Sequence, residues 1–374
     1  MITRKIKLPE DINKGMPPLE VSDNGTSFFE FWPAWIMYTP VVLQWFFLSA
    51  KYKSLTLPLI ANPSIPLSGM VGESKADILN LTSKESSKAV CGFTSFTRQT
   101  ERSAAEDAKT VLEQYYAEQL KLPAVAKPDL GCRGVGVRLI ESEQQLIEYL
   151  ELFPIGAKFL LQEKSIYQAE AGIFYIRYPG QKEGKIISIT LKYTPWVVGN
   201  GKQTLKELIL ADHRAGKLSH IYLERHSDNL NNVLGDGKAY RLAFAGSHTF
   251  GSIFRNGNEY ITNELGKSLD HFFDGVSGYH YGRLDVKFKD IDTLMQGKDY
   301  QILEMNGASS EATHIWDSRT SFTEAIKTLL NQYKVLFEIG NLQRQAGHEV
   351  PSLLSLYKAW REEKSLTKHY PSTD

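Results

Sequence analysis

The chain has 374 residues, 43 basic against 43 acidic side chains and two cysteines, Cys91 and Cys132. That length suffices for two or three domains and a large core. Zero formal charge leaves no electrostatic footprint for nucleic acid, and two cysteines supply neither a disulfide framework nor zinc-ligand spacing, which fits a reducing cytosol.

Residues 1–30 are polar, with "GMPP" and "SDNGTS" as loop signals. The run "FWPAWIMYTPVVLQWFFLSA" (31–50) carries no charge and is long enough to span a bilayer. Pro33, Pro40 and Gln44 argue against spanning, and Trp32, Trp35, Tyr38 and Trp45 favour the interfacial zone. Two readings stay open: a helix lying on the cytoplasmic face of a membrane, kinked or broken at Pro40, or a buried helix. Lys51 and Lys53 follow at once, as the positive-inside bias expects of a cytoplasmic exit.

A short strand is expected near 57–61, then a proline-broken loop and a helix from about Ser74. "KAVCGFTSF" reads as a strand, "TERSAAEDAKTVLEQYYAEQL" as a helix, and "AVAKP" as a strand ending at Lys127. The loop that follows has glycines at 131, 134 and 136. Its G-x-x-G-x-G spacing is neither the dinucleotide fingerprint nor a P-loop, and alone it reads as a turn. "ESEQQLIEYLELF" is helical, and "AKFLLQEKS", "AGIFYIRYPG" and "GKIISITLKYTP" are strands, the last two neighbours. "GKQTLKELILADHRAG" is a helix with Gly216 near its end; strands dominate 239–306, and the last seventy residues are mostly helical. Mixed elements without regular β-α alternation argue an α+β fold.

Two strands concentrate the chemistry. In "GRLDVKF", alternation puts Arg283, Asp285 and Lys287 on one face; in "YQILEMNGASSEAT" it pairs Glu304 with Asn306. Side by side they offer two carboxylates and an amide oxygen, hard donors suited to magnesium that also binds phosphate oxygens. Either strand alone would read as a solvated face.

The order of the pieces resembles the ATP-grasp superfamily over residues 85–335: Lys127, the glycine loop, a strand ending at Glu163 with Glu170 seven residues on, Lys192, then Arg-x-Asp and Glu-x-Asn. "LKYTPWVVGNGKQTLKELI" is similar to a segment of cyanophycin synthetases and bifunctional glutathione synthetases, with Asn200 where those usually have Asp. "EMNGASSEAT" lacks the Pro-Gly step of D-alanine–D-alanine ligases, and their N-terminal domain is not recognisable here. "FEFWPAWIMYTP", "NPSIP" and "GESK" look similar to the front end of uncharacterised bacterial ATP-grasp proteins.

The resemblance implies two α+β subdomains sandwiching ATP, preceded by an N-terminal segment (1–84) with its apolar helix and followed by a helical tail (336–374). It implies that Lys127 and Lys192 contact phosphates under a lid of Gly131, Arg133, Gly134 and Gly136. Glu163, Lys164 and Ile166 would form the adenine hinge, and Glu170 would hold the ribose. Asp285, Glu304 and Asn306 would bind Mg2+ or Mn2+, and Arg283 would steady the transferred phosphoryl group. Substrate contacts are expected from Ser309, Ser310, His248, Arg255 or Arg177, each with an ordinary structural alternative; His314 reads as structural. The implied activity joins small-molecule carboxylates and amines, the rivals being a phosphotransferase that makes no amide and a non-catalytic nucleotide module.

Overall fold

In the computed structural model, residues 12–19, 29, 32–131, 134–244, 246, 251–371 and 373 are described. The N-terminal part supplies α1 (Ala34–Tyr52) and α2 (Lys75–Leu79). A first α+β unit follows: β1 (Phe93–Thr97), α3 (Ala104–Ala117), β2 (Ala124–Pro128), β3 (Arg138–Ile140), α4 (Glu143–Leu152) and β4 (Lys158–Glu163). A second contains β5 (Ala169–Ile176), β6 (Lys185–Tyr193), β7 (Trp196–Val198), α5 (Leu205–Ala211), α6 (Ser219–Arg225) and β8 (Ala239–Arg241). It continues through β9 (Ile253–Asn256), α7 (Asn263–Asp274), β10 (Tyr281–Phe288), α8 (Ile291–Met295) and β11 (Tyr300–Asn306). Helices α9 (Phe322–Gln345) and α10 (Leu353–Thr367) close the chain.

The smaller sheet is antiparallel in the order β1-β4-β2-β3. Alternation sorts its two faces. Ala124, Ala126, Phe159 and Leu161 pack beneath α3 and α4, which bury Val111, Tyr115, Leu146 and Tyr149 against them. Val125, Lys127 and Gln162 belong to the opposite face, where they line a cleft.

The larger sheet is antiparallel in the order β11-β10-β5-β6-β9. Every residue of β5 is buried, so both faces are covered. Ile173 and Tyr175 meet Leu269, Phe272 and Phe273 of α7. On the other face Phe174 and Tyr281 lie under Val335, Leu336 and Ile339 of α9, while further along the same face Glu170, Lys192 and Asp285 open into the cleft. The fold is therefore α+β, with a cleft between two sheets, the layout that the ATP-grasp resemblance implies. The pair β7-β8 with α5 and α6 forms a small core of its own around Leu205, Ile209 and Tyr222.

Four expectations change on the structure. Leu57–Ile60 is a buried 3-10 turn rather than a strand, with Pro58 removing one backbone donor. The strand read over 88–96 begins only at Phe93, because Ser86–Ala89 forms another 3-10 turn. The helix read over 201–216 ends at Ala211, and Gly216 falls in a separate 3-10 turn. Pro40 does not break α1, which runs unbroken through it. The buried residues Met37, Val41 and Leu48 hold that helix against α9. The boundary drawn at 335 lies inside α9. Among the described residues no helix is long and apolar enough to cross a membrane.

Candidate active site

The cleft between the sheets has a volume of about 1060 Å³ and draws its lining from β2, β4, β5, β6, β10, β11 and the N-terminal segment. Its floor is one end of the large sheet. There Asp285 faces Glu304 directly across β10 and β11, and Arg283 faces Asn306. On β5, Gly172 lies opposite Asp285, and a Cβ there would sit 3.0 Å from the Arg283 side chain, so the missing side chain leaves that room.

Charge knits the floor together. Lys192 Nζ lies 2.9 Å from Asp285 Oδ1 and 3.3 Å from Glu170 Oε1. Lys287 Nζ lies 3.1 Å from Glu170 Oε2, and Arg283 Nε is 2.9 Å from Asp285 Oδ1. Burial alone would raise the Asp285 carboxyl, yet the Arg283 and Lys192 cations hold it down to about 2. Burial likewise opposes the Lys192 charge, and Asp285 and Glu170 outweigh it, holding the ammonium above its ordinary value.

The roof is built differently. Lys127 is buried and donates to the Leu303 carbonyl at 3.0 Å, tying β2 to β11, and Gln162 Nε2 reaches the same oxygen at 3.3 Å. Burial pushes the Lys127 ammonium below its usual range. The glycine loop turns at Gly131, Gly134 and Gly136, all at positive φ (119°, 76° and 72°), where other residues are strained. Its backbone is held by the C-terminal segment: Thr373 Oγ1 accepts from Gly136 N (3.0 Å) and donates to Gly134 O (2.8 Å). Glu163, Lys164 and Ile166, expected as the hinge, line the cleft where β4 ends, with Ile166 exposed.

Thus Lys127, Gly131, Gly134, Glu163, Lys164, Ile166, Glu170, Lys192, Arg283, Asp285, Glu304, Asn306, Ser309 and Ser310 all line one cleft. Gly136 stands just behind, packed on Pro128 and Tyr370. Ser310 spends its hydroxyl on Gly307 O (2.6 Å). Two expected substrate contacts lie elsewhere. Arg177 pairs with Asp270 and Asp274 on α7. Arg255 pairs with Asp317, because Phe254 beside it takes the cleft-facing position opposite Lys192. Arg133 and His248 lie outside the described residues. His314 is buried, with Nδ1 2.6 Å from Ser188 Oγ, in keeping with a structural role.

Sequence reasoning assigned no role to Glu73 and Lys75 in "GESK". Lys75 Nζ donates to Gly131 O at 2.6 Å and lies 3.7 Å from Glu304 Oε1. Glu73 Oε2 accepts from Gly307 N at 2.9 Å, and burial pushes its carboxyl up to about 7. Tyr38 of α1 donates to Glu311 Oε1, bringing the N-terminal helix to the cleft edge. The family-like "GESK" block was the one signal that pointed there.

Among the described residues no three His, Cys, Asp or Glu side chains gather to hold a metal ion. Asp285, Glu304 and Asn306 supply hard oxygen donors side by side, which suits a magnesium-type ion completed by phosphate oxygens and water. The donor chemistry fits the group.

No family model matches the chain, and no curated protein does. Among solved structures it is similar to a bifunctional glutathione synthetase from Pasteurella multocida, at 13% identity and TM-score 0.36, covering 71% of this chain and 36% of that one. It is similar to the VanG D-Ala:D-Ser ligase from Enterococcus faecalis at 13% identity and TM-score 0.37, covering 71% and 62%. It is also similar to a D-alanine–D-alanine ligase from Bacillus anthracis at 15% identity and TM-score 0.39, covering 73% and 72%. The chain thus spans just over a third of the glutathione synthetase and less than two thirds of VanG.

Proposed function

We propose that the protein is an ATP-dependent carboxylate–amine ligase. The observation that carries this reading is convergence: the two lysines, the glycine loop, the Glu163–Ile166 hinge and the Arg283/Asp285/Glu304/Asn306 patch, dispersed over 180 residues of sequence, line one cleft. A carboxylate does not condense with an amine in water because its oxygen is a poor leaving group. Attack of the acid oxygen on the terminal phosphorus of ATP breaks the bond to ADP and makes an acylphosphate. The amine nitrogen then attacks the acyl carbon, the C–O bond to phosphate breaks, and the nitrogen releases a proton to solvent.

Lys127 and Lys192 would hold the phosphates, and Arg283 the phosphoryl group in flight; such catalysis is positioning plus charge neutralisation. Asp285, Glu304 and Asn306 would hold a divalent ion, which when bound neutralises phosphate charge. The glycine loop would exclude water from the acylphosphate. The test measures ADP release with a panel of acids and hydroxylamine in place of the amine. A hydroxamate formed together with ADP is expected, and Glu304→Gln or Asn306→Ala should cut it at least a hundredfold. A stable phosphorylated product without hydroxamate would instead favour the phosphotransferase, and no ATP turnover with any acid the non-catalytic module.

We also infer that α1 rests on the anionic cytoplasmic surface of a membrane. Its outer face exposes Trp35 (71%), Leu43 (66%), Phe46 (61%) and Phe47 (69%) in one stripe, and Lys51 and Lys53 are exposed at its end to meet lipid phosphates. The full chain should sediment with phosphatidylglycerol vesicles, and Phe46→Ser/Phe47→Ser should stay in the supernatant; equal sedimentation of both would sink the idea.

A further inference from the structure

Residues 68–76 lie outside both sheets and are bonded to both sides of the cleft. On the floor side they meet the turn that leaves β11. Ala308 N donates to Ser68 O at 2.8 Å, Ser309 N to Gly69 O at 3.1 Å, and Gly307 N to Glu73 Oε2 at 2.9 Å. Gly69 and Gly307 pass so closely that a Cβ on either would stand 3.0 Å from the other's Cα. On the roof side they meet the entry to the glycine loop. Lys75 N donates to Asp129 O at 3.2 Å, and Ala76 N to Asp129 Oδ1 at 2.9 Å. Asp129 is buried, and its own N–H donates to Lys158 O on β4.

Any residue but proline could make the backbone bond at position 75, so this brace does not account for a lysine there. The ammonium reaches further. It donates to Gly131 O at 2.6 Å and to Asp129 O at 3.3 Å, and it ends 3.7 Å from Glu304 Oε1. Lys75 is buried, so the desolvation of its charge has to be offset by those carbonyls and by the carboxylate. At 3.7 Å the two charges attract without a direct hydrogen bond, and in a partly buried site salt screens that attraction little. One ammonium thus faces the glycine loop on one side and the end of β11 on the other.

We propose that Lys75 is a positioning residue that ties the glycine loop to Glu304, so that the order of the loop depends on the charge at the end of β11. The proposal rests on the ligase reading, in which Glu304 would hold a divalent ion and the loop would cover the phosphates. Towards the ion, Lys75 is a competitor for one carboxylate; towards the loop, it is an anchor. Removing its charge should therefore move the two in opposite directions, with the ion held more tightly and the loop less. A residue that only braced the fold would weaken both when lost.

The test begins with hydrogen exchange on the ligand-free full chain. Lys75→Met and Glu304→Gln should each speed exchange at Gly134 to Val137 at least threefold. The double variant should be no faster than Lys75→Met, since both changes break one contact. Lys75→Arg, which keeps the charge, should exchange like the wild type. Ala308 and Ser309, held by backbone bonds, should stay within twofold throughout. The second measurement is titration of Mn2+ into the ADP-saturated protein, read by electron paramagnetic resonance. Lys75→Met should bind the ion at least threefold more tightly than the wild type, and Lys75→Arg should not. Unchanged loop exchange in Glu304→Gln, additive effects in the double variant, or Mn2+ bound no more tightly by Lys75→Met would overturn the tie; Glu304→Gln reads the contact from its other end should Lys75→Met not fold. A wild type that binds neither ADP nor Mn2+ would fail the ligase reading instead, while loop exchange in the ligand-free protein still decides whether Lys75 links the loop to Glu304.

Discussion

The floor and the roof of the cleft are held in place by different physics. On the floor, Asp285, Glu170, Lys192, Lys287 and Arg283 hold one another through contacts of 2.9 to 3.3 Å, so each charge is fixed by its neighbours before any ligand arrives. On the roof, Lys127 spends its ammonium on a carbonyl, and the glycine loop leans on the C-terminal segment. On the proposed reading, a preorganised floor would suit phosphoryl transfer, which tolerates little reorganisation, whereas a roof tied through backbone carbonyls would suit a part that opens for the nucleotide.

The largest expected effect breaks the floor. Asp285→Ala leaves Lys192 with Glu170 alone and takes from Arg283 its carboxylate partner, a loss approaching the roughly 3–5 kcal/mol of a broken buried pair. Urea denaturation should show that loss, and ADP formation should vanish. A variant within 1 kcal/mol of the wild type, by that order-of-magnitude scale, would mean the network contributes little.

Lys127→Met puts the matching question to the roof. Lys127 is buried, a cation whose desolvation is offset by one carbonyl contact. Replacing it with an apolar stem of similar length should change stability by less than about 1 kcal/mol. ATP affinity, by titration, should fall at least tenfold. A large stability loss with unchanged ATP affinity would make Lys127 a strut.

What the sequence made legible follows the same division. Alternation placed Arg283 with Asp285 and Glu304 with Asn306 because a strand's period holds in any surroundings. Parity within the sheet was not legible: Arg255 was a candidate until Phe254 was found opposite Lys192. Periodicity gave Glu73 and Lys75 no role, because their segment is proline-broken and aperiodic, and contacts with Gly307 and Gly131, far along the chain, fix them. The apolar run of α1 was plain, but which face it buries depends on α9, nearly three hundred residues away.

A pH experiment sharpens the floor's side of the comparison. Burial pushes the His314 ring down to about 4, against a partly opposing Asp317. Its Nδ1 meets Ser188 on the strand that carries Lys192. Since the folded ring resists a proton that the unfolded ring takes, this contribution is whole above about pH 6.5. It is lost as pH falls towards 4, at up to about 1.4 kcal/mol per pH unit. Denaturation midpoints across that window should fall for the wild type and fall less for His314→Asn; parallel curves would assign the acid sensitivity to other groups.

The smallest expected effect concerns the roof's tether. Tyr370 stacks on Phe153, with centroids 5.5 Å apart and planes 7° from parallel, and a Cβ added to Gly131 or Gly136 would stand 3.3 Å from it. It thus wedges the C-terminal segment between α4 and the glycine loop, where Thr373 bridges Gly134 and Gly136. Tyr370→Ala removes a half-buried ring, a loss of about 1–2 kcal/mol, below the range for a fully buried aromatic. That loss should be local: amides of Gly134 to Val137 should exchange with solvent faster, while those of β10 and β11 keep their protection. KM for ATP should rise a few-fold, because an untethered loop must be ordered at each binding event. Faster exchange in both sheets would show that the tether stabilises the whole molecule, and the contrast between a rigid floor and an adjustable roof would no longer hold.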